Sequence, residues 1–352
     1  MDVLSLTPDE LHERLGAFFR SRGAPAYRSA QAARWILERR ARSFDEMTDL
    51  PLEDRRALET AFDLREPEVA RVAVSEDGTV KHLWRLADGE LVESVLIPSA
   101  ARLTLCISSQ AGCAMGCTFC ATGWGGFDRQ LTPGEIVSQL RGSARWAHAQ
   151  GLSRISNVVF MGMGEPLANR SALHPALTLL NQGYGLGARR ITVSTVGVVP
   201  GILELARRPE QFRLALSLHA PLSELRRELI PLEKRYPLPE IMDALEAFDA
   251  AGGKRITFEY TMIRGVNDAP ELAPELAALA LRVRAFVNLI PYNPIPYRDW
   301  KPSLERRIRH FAEILEGRGV AVAVRETRGR DIHAACGQLR AHTLAHTEGN
   351  PT

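Results

Sequence analysis

Cys113-Ala114-Met115-Gly116-Cys117-Thr118-Phe119-Cys120 sets three thiols at C-x3-C-x2-C spacing. The loop follows a short apolar run, residues 103–108, that reads as a β-strand. In barrels built from alternating strands and helices, reactive groups gather at the C-terminal ends of the strands. Three thiolates can bind three irons of a cubane cluster and leave the fourth iron open to an external ligand. A closed zinc site asks for four nitrogen or sulfur ligands, commonly in two paired knuckles. Here the fourth would have to be Cys106 or a remote residue; no histidine lies within the loop and no second knuckle follows. A ferredoxin-type carrier takes a fourth cysteine per cluster. The open cluster is the reading that uses the loop as it stands.

Downstream, short apolar runs at 103–108, 157–161, 191–194, 213–218, 256–262 and 286–290 alternate with helical stretches at 133–149, 173–180, 238–250, 271–285 and 303–316. A late strand at 320–325 precedes a glycine-containing tail. This alternation predicts parallel βαβ units. The expected fold class is α/β, a partial (β/α)6 TIM-like barrel over residues 101–340, with a tail at 341–352. Upstream, three β-prone runs between 71 and 98 are separated by Asp77-Gly78 and Asp88-Gly89, a strong hairpin signal. Residues 69–100 are therefore expected to form a short β-hairpin extension. Residues 1–68 read as a small helical accessory domain. Thr7-Pro8-Asp9-Glu10 makes a helix start, and Ala30, Ala33, Ile36 and Leu37 recur at helical spacing within 29–42.

The 352 residues are 45% hydrophobic and 24% charged, enough for a large core without disulfide staples. Four of the five cysteines lie between 106 and 120, a crowding that points to metal or redox chemistry. The first residues lack a basic start followed by an apolar run, and no apolar stretch is long enough to span a bilayer. The expectation is a cytoplasmic protein with no membrane association, and a monomer. A net charge of +2 neither requires nor excludes RNA. Arginine pairs such as Arg189-Arg190, Arg226-Arg227 and Arg306-Arg307 read singly as solvated helix faces; only a surface gathering several would mark phosphate binding.

The wider stretch Cys106-Ile107-Ser108-Ser109-Gln110-Ala111-Gly112-Cys113, continuing through the cysteine loop to Ala121-Thr122-Gly123, resembles the radical S-adenosylmethionine (SAM) superfamily. Within it, the stretch resembles the family of dual-specificity RNA methyltransferases, RlmN. Ala334-Ala335-Cys336-Gly337-Gln338-Leu339 is similar to that family's closing motif. The resemblance implies a radical SAM barrel holding one [4Fe-4S] cluster on Cys113, Cys117 and Cys120. Two SAM molecules would be used per turnover. Gly162-Met163-Gly164-Glu165-Pro166 follows the second strand, and glycines there would let backbone approach a ligand. By the same resemblance Gly164, Glu165, Ser194, Ser217, Leu218, His219 and Asn293 are the SAM contacts, with Glu165 accepting from the SAM ammonium.

The implied reaction is methylation of carbon 2 of adenine 2503 in 23S rRNA and of adenine 37 in a subset of tRNAs. Carbon 2 lies between two electron-withdrawing nitrogens and is a poor nucleophile, so a carbon radical is the species able to attack it; the cofactor carries that hard step. The resemblance makes Cys336 the methyl carrier, Glu93 the proton acceptor, and Cys106 the resolving thiol. Cys106 would free the RNA from a transient protein crosslink through a transient disulfide with Cys336. A reducing partner such as a flavodoxin or ferredoxin system would restore the thiols. Two departures from the family pattern, His333 in place of an acid and Glu233 in place of an asparagine, bear on RNA positioning. Two rivals remain at this point: a sister activity at carbon 8 of the same rRNA adenine, and a non-catalytic metal-binding, RNA-binding protein.

Overall fold

Thr7 opens the first helix, Pro8–Ser21, with a capping box: its hydroxyl accepts from the Glu10 N–H, and the Glu10 carboxylate accepts from the Thr7 N–H at 2.9 Å. Leu11, Leu15 and Phe19 form its buried stripe. The second helix, Tyr27–Leu37, begins and ends earlier than its sequence pattern predicted. Its buried stripe is Ala32, Ala33, Ile36 and Leu37, so Ala30 faces solvent. A third helix, Leu52–Ala61, carries too few apolar residues to stand out in the sequence. The structure, a computed structural model, describes residues 1–99, 102–252 and 255–339; the tail expected at 341–352 lies outside them.

The helical unit docks on the helix Pro133–Ala149. There the Gly134 N–H donates to Ser5 Oγ at 2.9 Å, and any side chain at 134 would collide with Asp2. Arg141 of the same helix is fully buried and donates to the Ile36 and Ala41 carbonyls, both at 2.6 Å, and to Glu66. A buried guanidinium needs such partners.

Next come β1 (Glu68–Val74), β2 (Val80–Arg85) and β3 (Leu91–Ser99), an antiparallel meander. Both Asp-Gly steps turn the chain as expected, with Gly78 and Gly89 at φ 81° and 94°. The meander is continuous with the main sheet, because β3 pairs with β4 (Arg102–Cys106). A small hairpin absent from the sequence expectations, β5 (Gln110–Gly112) with β6 (Phe127–Gln130), brackets the cysteine loop. Then β7 (Ile155–Phe160), β8 (Ile191–Thr195), β9 (Arg213–Ser217), β10 (Ile256–Met262), β11 (Phe286–Pro291) and β12 (Val322–Val324) extend from β4 in sequence order, each parallel to its neighbour. The sheet runs from edge β1 to edge β12 without closing. This is the expected partial barrel, with the late strand as a seventh parallel member. Among the described residues no helix is long and apolar enough to cross a membrane.

Candidate active site

Two spaces meet inside the partial barrel. The first lies at the C-terminal ends of the strands, encloses about 900 Å³ counted out to solvent, and is lined by Cys113, Cys117 and Cys120. Gly164, Glu165, Ser194, Ser217, His219, Asn293 and Cys336 line it as well. The structure thus brings ten residues of the expected site to one place; the side chain of Leu218 packs in the core instead. Glu93 and Cys106 stand outside this space. The second space, about 1790 Å³ including open solvent, is the barrel lumen. Met161, Glu259, Ile290, Asn293, Arg325 and Cys336 line both.

Each site residue is held by its strand end. Glu165 Oε1 accepts from the Leu167 N–H at 3.0 Å and Oε2 from the Val196 N–H at 2.8 Å, while burial pushes its pKa up to about 7. Gly164 sits at φ 96°, and a Cβ there would collide with Gln110; its glycine serves this packing. Ser194 Oγ and Ser217 Oγ, from β8 and β9, are 3.4 Å apart. His219 Nδ1 accepts from the Thr261 N–H at 3.0 Å, which leaves its proton on Nε2. Burial pushes its pKa down to about 3, so the ring is neutral.

The cysteine loop is wrapped by apolar side chains, among them Ala220, Leu229, Ile230, Ile263 and Ile295. Burial pushes the Cys113 thiol up to about 12 and Cys117 well above its ordinary value. Bare, both stay protonated near neutrality, so metal loading must release their protons. Among the described residues no three His, Cys, Asp or Glu side chains are grouped to hold one metal ion. The thiolates of a cubane each bind their own iron and need no shared centre. The cavity also suits a ligand rich in donors: Asn293 Oδ1 and Glu259 Oε2 are buried acceptors without a hydrogen-bond partner among the described residues. An amino acid joined to a sugar supplies ammonium and hydroxyl donors for such acceptors. Phe119, Phe160, Met161 and Ile290 provide apolar wall.

Cys336 is positioned through its backbone and neighbours. Asn293 Nδ2 donates to the Cys336 carbonyl at 3.1 Å, the Ala121 N–H donates to the Gly337 carbonyl at 2.7 Å, and Thr122 Oγ1 donates to the Leu339 carbonyl at 2.6 Å. The β1–β2 turn grips the segment before it: the Gly329 N–H donates to Asp77 at 2.8 Å and Ser75 Oγ donates to Asp331 at 2.6 Å. The extension therefore holds the Cys336 segment in place. The transient Cys106–Cys336 disulfide implied by the resemblance is not formed in this structure; all five cysteines are free. Cys106 is buried at the end of β4, and burial pushes its thiol up to about 12, against the pull of the Arg325 guanidinium.

Glu93 was expected as an acid in an apolar strand, and it is buried. Lys81, missed in the sequence, pairs with it at 2.9 Å and also donates to the His333 carbonyl at 3.1 Å. The register explains this: Lys81 and Cys106 both lie opposite Val95, so they share a sheet face with Glu93 two residues away. Arg325 and Glu259 were missed as well. Neighbouring Cys336 and then Glu259 and Cys106 raise the Arg325 pKa. An acid within the apolar run Ile256-Thr257-Phe258-Glu259-Tyr260 carries the same signal that singled out Glu93.

Neither departure from the family pattern lies in the wall of the cavity or of the lumen. His333 is exposed at φ 50° and offers the site only its carbonyl. Glu233 is fully buried against an equally buried Arg226, which corrects the solvated-face reading of Arg226, while Arg227 is exposed as expected. Arg226 also donates to the Val196 carbonyl at 2.5 Å and to the Leu218 carbonyl at 3.2 Å, tying two strand ends at the cavity. Glu233→Ala strands the guanidinium and is expected to cost about 3–5 kcal/mol of stability. Denaturant titration measures this, and a loss below about 1 kcal/mol would contradict it.

Known proteins match this architecture from end to end. The Radical SAM superfamily model matches residues 107–273, and the ribosomal RNA large subunit methyltransferase N-terminal domain matches 3–63. The chain is 51% identical to the probable dual-specificity RNA methyltransferase RlmN of Gemmatimonas aurantiaca, covering 97% of this chain and 94% of that one. It is 44% identical to the dual-specificity RNA methyltransferase RlmN of Marinomonas sp., covering 96% and 92%. The crystal structure of a radical SAM methyltransferase from Sphaerobacter thermophilus superposes with a TM-score of 0.91 at 45% identity, covering 97% and 99%. The chain belongs to the dual-specificity RNA methyltransferase RlmN family of the radical SAM superfamily.

Proposed function

We propose that this chain methylates carbon 2 of adenine 2503 in 23S rRNA and of adenine 37 in a subset of tRNAs, with Cys336 as the methyl carrier. The observation that carries the reading is the place of Cys336, shared by the cysteine-lined cavity and the lumen. Cys113, Cys117 and Cys120 would hold the [4Fe-4S] cluster, and Gly164, Glu165, Ser194, Ser217, Leu218, His219 and Asn293 would hold SAM, Leu218 through its backbone. When bound, these groups supply a transferable methyl and one-electron cleavage of a sulfonium.

The chain's own residues do the rest. Cys336 Sγ carries the methyl to the base. Glu93 takes the carbon 2 proton, and Lys81 stays beside it as the compensating charge. Arg325 lies within electrostatic reach of both non-cluster thiols, and its charge favours the thiolate of Cys106, the reactive form. Cys106 Sγ bonds to Cys336 Sγ as the bond from Cys336 Sγ to the RNA-linked carbon breaks and that carbon takes a proton to become the product methyl; a flavodoxin or ferredoxin system then returns two electrons and the thiols. The apolar wrapping of the loop keeps water from the reacting groups.

Anaerobic reconstitution with iron and sulfide, followed by SAM, reductant and 23S rRNA, tests the reading. The expected products are 5′-deoxyadenosine and RNA bearing one methyl at carbon 2, located by mass spectrometry of the digested RNA. A methyl at carbon 8 would move the chain to the sister activity, and no 5′-deoxyadenosine from an intact cluster would refute the enzyme reading. Arg325→Met should slow methylation about tenfold to a hundredfold and shift its pH profile upward. An unchanged profile would remove Arg325 from the mechanism.

A further inference from the structure

Glu233, one of the two departures from the family pattern, is packed beside the cysteine loop, and the proposed reaction gives it no task. It stands on the turn Pro231–Lys234, one residue after the helix Ser223–Leu229 that carries Arg226. Both elements press on the loop. The Thr118 N–H donates to the Leu229 carbonyl at 3.0 Å, and a Cβ on Gly116 would lie 3.7 Å from the Pro231 ring. Leu225, Leu229, Ile230 and Leu232 pack with Cys117 and Cys120 in one apolar cluster.

Glu233 Oε1 accepts from the Leu238 N–H at 2.7 Å, and Oε2 accepts from Arg226 Nη1. An ionised carboxylate is the form that accepts through both oxygens. The other guanidinium nitrogens donate to the Val196, Ser217 and Leu218 carbonyls. Those acceptors are neutral, so Glu233 is the one counter-charge that Arg226 has among the described residues. Stability does not account for the choice of residue. Apolar side chains of the same volume hold a fold as well as a buried ion pair does, and an amide could accept the same hydrogen bonds. What only a carboxylate adds is negative charge.

That charge falls where a cluster would feel it. Burial, and then Cys120, Cys113 and Glu165, push the Cys117 thiol up, while Arg226 pulls it down. The guanidinium is therefore within electrostatic reach of a cluster ligand. Net charge, hydrogen bonds and solvent exposure set the potential of an iron–sulfur cluster. Reduction adds an electron, so a nearby cation eases it and a nearby anion opposes it. At an effective dielectric of about 20, a unit charge roughly 10 Å away changes such an equilibrium by more than tenfold. Arg226 unpaired would stabilise the reduced cluster and weaken it as a reductant. Paired with Glu233, the site adds no net charge.

We infer that Glu233 cancels the charge of Arg226 beside Cys117 and so holds the reduction potential of this chain's cluster below the value that Arg226 alone would set. The carboxylate lines neither the cavity nor the lumen and acts through Arg226, as a positioning residue. An asparagine there, as in the family pattern, leaves the guanidinium without its counter-charge. The inference rests on the proposed function and deepens it: the departure at 233 concerns how strongly the cluster drives electrons into the sulfonium, and not the placing of RNA.

The test is a redox titration of the anaerobically reconstituted full chain, without RNA, followed by the electron paramagnetic resonance of the reduced cluster. Glu233→Gln keeps the volume and an acceptor and removes the charge. Its cluster should be reduced more readily, by about tenfold or more in the reduction equilibrium, a rise of about 59 mV in midpoint potential for one electron. Glu233→Asn should shift it the same way. Arg226→Met/Glu233→Met removes both charges, should return the potential to within about threefold of the parent, and keeps the test valid if a lone buried guanidinium prevents folding. Iron content and the unfolding midpoint of the same samples separate a change of potential from a loss of structure. A parental potential in folded, cluster-bearing Glu233→Gln and Glu233→Asn would overturn the inference and leave the methyltransferase reading intact. So would a double variant shifted as far as the single ones, which would trace the effect to packing and not to charge. A parent chain that assembles no [4Fe-4S] cluster would sink both.

Discussion

Cys336→Ala is expected to abolish RNA methylation, a fall of at least about 10³-fold, while the chain keeps its iron and its fold. The separation follows from the geometry. The contacts that anchor this segment use the carbonyls of Cys336, Gly337 and Leu339, so the thiol can be deleted without releasing the loop. The cluster cysteines sit more than two hundred residues earlier in the chain, in their own apolar wrapping. Quantitative mass spectrometry of digested RNA, beside iron analysis of the same sample, reads both halves. Methylation within tenfold of the parent would show that another group carries the methyl.

The second large effect falls on release. Cys106→Ala should leave the carbon bond to RNA formed and unresolved, so a covalent RNA–protein species accumulates on denaturing gels and free product drops to background. With three cysteines committed to the loop and Cys336 to the methyl, Cys106 is the one thiol left in the chain's five. It stands at the end of β4 within electrostatic reach of both Cys336 and Arg325. Alanine there removes a single sulfur atom and leaves only a small cavity at this buried position. Free methylated RNA at the parental rate, with no adduct, would assign resolution to something other than Cys106.

Much of this was legible in the sequence because the decisive signals were local. The Asp-Gly turns, the helix start at Thr7 and the strand–helix alternation each depend on a few adjacent residues, and each appears where the pattern put it. What failed depended on partners distant in the chain. Lys81 reads as a surface strand lysine until the register sets it diagonal to Glu93. Arg226 reads as a helix-face charge and Glu233 as a departure bearing on RNA positioning until tertiary packing buries them together. Ala30 fitted the helical spacing, yet the docking angle of its helix turned the stripe toward Ala32. The β5–β6 hairpin escaped notice because Gln110-Ala111-Gly112 is too short to show alternation. Glu259 was missed for a different reason: its signal was present and identical in kind to that of Glu93.

The most direct test of the account is the mass of the peptide containing Cys336 in protein isolated during turnover. The account predicts a single methyl on Cys336 Sγ, lost when RNA is supplied and restored by SAM, with Cys106, Cys113, Cys117 and Cys120 unmodified. An unmethylated Cys336 in every preparation that methylates RNA would contradict it.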